Sequence, residues 1–323
     1  MAERSPEIAV VVPSHDRPLR LRWLLNALEE QTLPRDRFEV IVGHDSSGPE
    51  TSELLASHPL AAAGILREVK LPPGTAPPGA NRNAAWRTAR SDTIVFTDDD
   101  CRPPPEWLEG AVEAARRRPG AIVQGAVRPD PEEDALLRAP HRHIQRVKPP
   151  TPYGEAASII YPSAVLERHG GFDEQLYTGE DCDLMVRARR AGTPYLGDRE
   201  WETFHAVVPM ALPKYLWSLR RWKDMPALIR RYPELRSDFP LWVFWKPTHV
   251  WLPPAIAAAL LERRNPLWAL LAVPYLAWAL PRHGFDPRGR LRAVVELPAQ
   301  VAKDATEFGV LAYGAAKHRT FFL

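Results

Sequence analysis

Apolar positions along the chain fall into short unbroken runs, separated by stretches in which they recur every three or four residues. IAVVVP (8–13), FEVIVG (38–43), TIVFT (93–97), AIVQGAV (121–127) and ASIIYP (157–162) are such runs, rich in β-branched residues and bounded by Pro, Gly or polar residues. Runs of this length predict strands, and the lack of apolar–polar alternation predicts strands covered on both faces. Residues 19–31, the surroundings of SELLASH, 80–90, PEWLEGAVEAARRR and SAVLERHG have helical spacing and lie between them. Strands alternating with helices over roughly the first 200 residues predict an α/β fold with a mainly parallel sheet flanked by helices.

Ligands of such sheets sit beyond the carboxyl ends of the strands. Three polar groups lie there: the loop after Pro13, the pair His44-Asp45, and Asp98, Asp99 and Asp100. Three consecutive aspartates repel one another and are poor formers of helix and strand. Two explanations are open for them, a solvated turn or a site for a hard divalent cation, which wants clustered carboxylate oxygens. In an extended segment Asp98 and Asp100 would point to one side and Asp99 away. A second acidic cluster, Asp173, Glu174, Glu180, Asp181 and Asp183, precedes the amphipathic run LMVRARRAG. It reads either as capping of a helix N-terminus or as the source of a general base, with Tyr177, Leu184 and Met185 near enough to tune a carboxylate.

Composition narrows the field. Lys and Arg number 42 against 40 Asp and Glu, so no global field for nucleic acid arises. Two cysteines, Cys101 and Cys182, are too few for a disulfide scaffold and fit a reducing compartment. The first apolar run is too short for a signal peptide, so none is expected.

Together, VVVPSHDRP (10–18), VIVGHDSS (40–47), GANRNAAWRTARSDTIVFTDDD (79–100) and GGFDEQLYTGEDCDL (170–184) resemble the family 2 glycosyltransferases, over about the first 210 residues. The resemblance implies a GT-A fold, a nucleotide-diphospho-sugar donor, a divalent metal, Mn2+ or Mg2+, on a D-x-D pair, and inverting transfer to a hydroxyl. Residue by residue it implies Asp98 and Asp100 as metal ligands, with His205 completing the set, and Asp99 on the ribose or capping the turn. Pro13, His15, Asp45, Arg82 and Asn83 fall at donor-binding positions. Asp45 matches a nucleoside-binding aspartate, and Arg82 would reach a phosphate or brace the carboxylates. Asp181 is the expected base, with Glu180 second. SLRRWKDM (218–225) resembles the Q-x-x-R-W motif of processive members, which makes Arg221 and Trp222 acceptor-binding candidates. Ser218 stands for the glutamine there, and a basic amphipathic helix with a packed Trp is the favoured reading of the segment, so a single addition is expected rather than polymerisation.

Beyond residue 210 the chain changes character. Residues 241–284 hold two apolar stretches of about 15 residues split by Glu262, Arg263, Arg264 and Asn265, each short of the roughly 20 that a spanning helix needs. With Trp242, Trp245, Trp251, Trp268 and Trp278 among them, they read as an in-plane or shallow re-entrant anchor, the alternative being a helical subdomain packed on the catalytic part. An amphipathic helix is expected to follow. The expected organisation is a catalytic domain at 1–210 and a helical, membrane-associating region at 211–323. The expected function is an inverting glycosyltransferase at the cytoplasmic face of the cell membrane, with a nucleotide-diphospho-sugar donor, a lipid-linked or cell-envelope glycan as acceptor, and no nucleic-acid partner. A non-catalytic sugar-nucleotide binder and a metal-dependent nucleotide-sugar hydrolase or pyrophosphorylase are the alternatives.

Overall fold

A computed structural model describes residues 5–74, 76–284 and 286–323. The chain divides into two compact units. One holds the residues up to Arg138 together with His143–Val208, and the other holds Ala139–Arg142 and Pro209–Leu323.

The first unit is built on a sheet of eight strands: β1 (Ile8–Ser14), β2 (Phe38–His44), β3 (Leu66–Lys70), β4 (Thr93–Phe96), β5 (Cys101–Arg102), β6 (Ile122–Pro129), β7 (Ile159–Pro162) and β8 (Tyr195–His205). Their order is β3-β2-β1-β4-β7-β6-β8-β5. β3, β2, β1 and β4 are mutually parallel. β7 runs antiparallel to both β4 and β6, β6 and β8 are parallel, and β5 is antiparallel to β8. The sheet is therefore mixed, with the parallel half carrying the first three predicted strands. Its edge strand β3 escapes the apolar-run criterion because only Leu66 of LREVK is buried and three of its five residues are charged.

Alternation along the strands divides the core in two. Ile8, Val10 and Val12 of β1 pack with Leu21, Leu24, Leu25 and Leu28 of α1 (Pro18–Glu29), Leu54 and Leu55 of α2 (Glu50–Ser57), Leu60 of α3 (Pro59–Ala62), and Leu108 and Ala111 of α5 (Trp107–Arg117). Ala9 and Val11 face the other way, onto Ala85 and Trp86 of α4 (Pro78–Trp86), Leu166 of α6 (Ser163–His169) and Leu184 of α7 (Glu180–Arg190). Each such Leu or Val is worth about 1.5–3 kcal/mol on burial, so both helical layers are bound to the sheet by the same strands. α4 lies so close to β2 that a Cβ at Gly43 would collide with the carbonyl of Asn81. Glycine there lets the start of α4 approach the end of β2, next to Asp45.

The second unit contains α8 (Leu212–Ser218), α9 (Met225–Arg231), α10 (Pro247–Leu261), α11 (Val273–Ala279) and α12 (Pro287–Lys317). Residues 218–225, read from sequence as a basic amphipathic helix, contain instead a 3-10 turn over Leu219–Asp224. The second apolar stretch is likewise broken, into a 3-10 segment Pro266–Ala272 and the short α11. Among the described residues no helix is long and apolar enough to cross a membrane.

A buried polar network ties α10 and α11 to α12. Lys246 Nζ lies 2.7 Å from Asp304 Oδ1 and also contacts Glu307. Tyr275 donates its hydroxyl to Asp304 (2.8 Å), as does Gln300 its amide. His249, Asp304 and Glu307 bring ligand-type atoms within 4.8 Å of one another, but the Lys246 ammonium already pairs with both carboxylates.

Candidate active site

The carboxyl ends of β1, β2 and β4 gather the polar residues singled out in the sequence. At the end of β2, Asp45 is buried and accepts three hydrogen bonds: from Asn81 Nδ2 (3.0 Å), the Ala76 amide (3.1 Å) and His15 Nδ1 (3.0 Å). Burial pushes the Asp45 carboxyl upward, yet these hydrogen bonds outweigh it and hold the pKa below the usual carboxylate range. Pro13 is buried within β1, opposite Gly43, and the half-exposed His15 follows on the loop.

Asp98, Asp99 and Asp100 are not extended, as the sequence reading had them. Cys101 N donates to Asp98 O (3.0 Å), closing a turn over 98–101. The turn, rather than strand alternation, is what turns Asp98 and Asp100 toward a common point. Asp99 is held by the Ser14 hydroxyl (2.8 Å) and by Arg17 (3.2 Å), whose same nitrogen reaches Asp100 (2.7 Å). Burial is the main cause that pushes Asp99 up to about 7, opposed by Arg17 and reinforced by Asp100. For Asp100 burial acts in the same direction, but His205 and Arg17 outweigh it and hold its carboxyl below the usual range.

His205 reaches this turn through the sheet. β5 pairs antiparallel with the end of β8, placing Cys101 opposite His205, and Ala206 N donates to Asp100 O (2.9 Å). His205 is buried, with Nδ1 2.9 Å from the carbonyl of Ala206. A carbonyl can only accept, so Nδ1 carries the proton, and Nε2 faces Asp100 Oδ1 at 3.2 Å. Two lone pairs at that distance call for a cation or a second proton between them. Ligand atoms of Asp98, Asp100 and His205 lie within 4.8 Å of one another. Two carboxylates and an imidazole form a donor set that fits a divalent ion such as Mn2+.

Arg82 joins the two acidic clusters. It is buried, donating from one terminal nitrogen to Asp98 (2.8 Å) and from the other to Glu180 (2.7 Å). Burial alone would lower its pKa, but Asp98 and Glu180 raise it above the ordinary arginine value. Glu180 and Asp181 open α7 after Gly179, whose left-handed backbone (φ 84°) turns the chain into the helix. No side chain caps α7, whose N-cap is Gly179, but acidic residues in its first turn and arginines in its last complement the helix dipole. Asp181 accepts a hydrogen bond from the amide of Cys182 (2.8 Å). Its crowded surroundings first, then Glu180, push its pKa well above the usual carboxylate value.

Not every candidate joins this group. Asn83 is fully buried and takes on a latch between α4 and residues 171–174. Its Nδ2 donates to Phe172 O and Glu174 Oε1 (2.8 Å each), and its Oδ1 accepts from Phe172 N and Trp86 Nε1 (2.9 Å each). The neighbouring Asn81, not Asn83, reaches Asp45. Asp183 is also structural, bound to Arg187 at 2.8 Å. Arg221 and Trp222 belong to the second unit, where Arg221 stacks over Trp222 (4.8 Å) and Trp222 meets Trp245 (5.1 Å). Sequence reasoning passed over Ser14, Arg17 and Asn81. Each lies inside a motif quoted for the resemblance, VVVPSHDRP or NRN, but only the returning chain shows what it touches.

The profile of the family described as Glycosyl transferase family 2 matches residues 9–172. The pre-mycofactocin glycosyltransferase of Mycobacterium tuberculosis is 29% identical over 203 residues, covering 58% of this chain and 40% of that protein. The validoxylamine A glucosyltransferase of Streptomyces hygroscopicus subsp. jinggangensis is 26% identical over 281 residues, covering 76% and 64%. The matched region thus spans less than two thirds of either relative. A mannosyltransferase from Pyrobaculum calidifontis, solved in complex with GDP-Man and Mn2+, superposes with a TM-score of 0.58 at 22% identity, over 98% of this chain and 88% of that one. This likeness is one of fold: mixed α/β, of the GT-A kind. By the match to its sequence the chain belongs to glycosyl transferase family 2, and residues 9–172 are those of a glycosyltransferase catalytic unit.

Proposed function

We propose that the chain transfers a sugar from a nucleotide-diphospho-sugar to an acceptor hydroxyl with inversion, using a divalent ion held by Asp98, Asp100 and His205. The observation that carries this reading is the Arg82 guanidinium. By bonding Asp98 on one side and Glu180 on the other, it ties the metal-binding carboxylates to the helix start that presents Asp181.

Each residue then has a distinct task. Asp45, with its orientation fixed by Asn81, His15 and the Ala76 amide, receives the nucleoside. A bound divalent ion would supply charge neutralisation at the departing diphosphate. Arg82 holds Asp98 in place through its ion pair. Asp99 braces the turn through Ser14 and Arg17. Asp181 removes the proton of the incoming hydroxyl. A base is most effective when its pKa approaches the working pH, and the raised Asp181 carboxyl is moved that way. Glu180, engaged by Arg82, is less available for the same step. The P. calidifontis neighbour was solved with GDP-Man and Mn2+, which supports a donor and metal of this class.

For the acceptor we propose a lipid-linked or cell-envelope glycan, with one sugar added per encounter, in line with Ser218 standing where processive members have glutamine. The test is a thermal-shift screen of nucleotide sugars with and without Mn2+, followed by NMR of the anomeric configuration of the product. A stabilising nucleotide sugar that is turned over with inversion supports the reading. A ligand that binds and is never turned over would make the protein a binder. Release of the sugar to water alone would make it a hydrolase.

A further inference from the structure

Most apolar helices in a folded chain are covered by protein, and α10 is covered only in part. PTHVWLPPAIAAALL carries apolar residues on all sides, and a helix of that kind is buried in a core or in lipid. Only Thr248, His249, Leu252 and Ala258 of its residues are buried, and the 3-10 segment Pro266–Ala272 that follows has none buried. Leu260 is 73% exposed, Leu267 68%, Leu270 64% and Trp278 55%, with Trp268 and Val273 exposed beside them.

Charge is arranged around this surface in one sense. Arg263 and Arg264 are exposed at the turn between the two apolar runs, and Arg288 and Arg290 are exposed at the start of α12. Among the described residues from 247 to 295, these four face only two exposed acids, Glu262 and Asp286, and Asp286 is engaged in capping α12 through the amides of Arg288 and Gly289. Apolar tips with tryptophan and flanking arginine match the interface of an anionic bilayer, where indole rings sit at headgroup level and arginine meets lipid phosphate. Depth is limited by length: the 15 residues of α10 reach about 22 Å, short of the ~30 Å hydrocarbon core.

We infer that residues 247–279 form a hairpin that inserts shallowly into the interface of an anionic lipid bilayer, with Leu260, Leu267, Trp268 and Leu270 in the acyl boundary and Arg263 and Arg264 on the headgroups. This goes beyond the transfer reaction, and neither depends on the other.

The experiment is flotation of the full-length chain with phosphatidylcholine vesicles, with and without phosphatidylglycerol. Tryptophan quenching by brominated lipid is read on the same unmodified protein. The protein should float with the phosphatidylglycerol vesicles, resist release by salt, and show quenching at a shallow bromine position. Leu260→Glu with Leu270→Glu should lower partitioning by about tenfold or more, while nucleoside diphosphate binding stays unchanged. Arg263→Glu with Arg264→Glu should remove the preference for phosphatidylglycerol. Failure of the unmodified chain to float, or flotation without quenching, overturns the proposal. So does light scattering that shows a dimer broken by Leu260→Glu in a chain that ignores vesicles, because a second copy would then cover the surface. Loss of donor binding in the unmodified protein would count against the proposed reaction and leave the membrane result standing.

Discussion

Nε2 of His205 lies 3.2 Å from Oδ1 of Asp100, while Nδ1 of the same ring is spent on the carbonyl of Ala206. This orientation aims Nε2 of the imidazole at the Asp100 carboxylate and leaves a cation or a second proton to complete the arrangement. Replacing His205 by Ala should weaken Mn2+ binding by about tenfold or more, comparable with losses on disturbing a metal site. Imidazole favours Mn2+ over Mg2+, so the loss should be larger for Mn2+. Titration of free Mn2+ by electron paramagnetic resonance measures it, and unchanged affinity removes His205 from the ligand set.

Arg82 pairs with two carboxylates from one buried position. Removing one partner of a buried pair costs about 3–5 kcal/mol, because the remaining charges lose their compensation. Arg82→Met should therefore lower Tm markedly, and added Mn2+ should recover part of the loss by meeting Asp98. Denaturant unfolding with and without Mn2+ checks both. A variant as stable as the parent means Arg82 does not carry the junction.

In the proposed reaction Asp181 can accept a proton only when ionised, and its crowded surroundings first, then Glu180, raise its pKa. Transfer should therefore rise with pH through an inflection above the ordinary carboxylate range of about 4. Asp181→Asn should keep donor affinity, cut transfer by about 100-fold or more and abolish that inflection. Near-normal transfer in this variant would pass the role to Glu180.

In the second unit, Asp304 and Glu307 have pKa values below their ordinary ones, burial being outweighed by Lys246 and its companions, while Lys246 is raised by the two acids against burial. The two depressed carboxylates stabilise the fold above their unfolded pKa values of about 4, and that stability is lost as pH falls below them. The raised lysine contributes below its unfolded value of about 10.4, and its share is lost only at higher pH. Thermal unfolding should be flat with respect to this network between about pH 5 and 10 and fall below about pH 4. Lys246→Met should destabilise across the flat range.

The parallel half of the sheet was legible in the sequence because β1, β2 and β4 are unbroken apolar runs, and a run buried on both faces needs no partner to be recognised. β3 was not, since LREVK at a sheet edge, with three charges and one buried residue, resembles many solvated segments. Asp98, Asp100, Glu180 and Asp181 stood out as acids placed at strand and helix ends, where backbone geometry presents them. The contact between Arg17 and Asp100 was hidden, because an arginine in a loop looks the same whether it meets solvent or a carboxylate from a distant strand. A turn at the three aspartates was one of the two readings open from sequence, but Asp98 and Asp100 were brought together there by strand alternation, and the turn at 98–101 gives the same convergence. Asn81 and Asn83 are indistinguishable in NRN until helix phase assigns one to Asp45 and the other to the 171–174 latch.

The central assignment is that Asp98, Asp100 and His205 hold the ion through which the donor's diphosphate is bound. Calorimetric titration of UDP and GDP into the protein, in Mn2+ and in EDTA, tests it most directly when repeated on Asp100→Asn. The assignment predicts that one nucleoside diphosphate binds strongly in Mn2+, that EDTA removes most of this affinity, and that Asp100→Asn behaves in Mn2+ as the parent does in EDTA. Equal affinity in Mn2+ and EDTA, or an Asp100→Asn protein that keeps the full Mn2+ dependence, would contradict it.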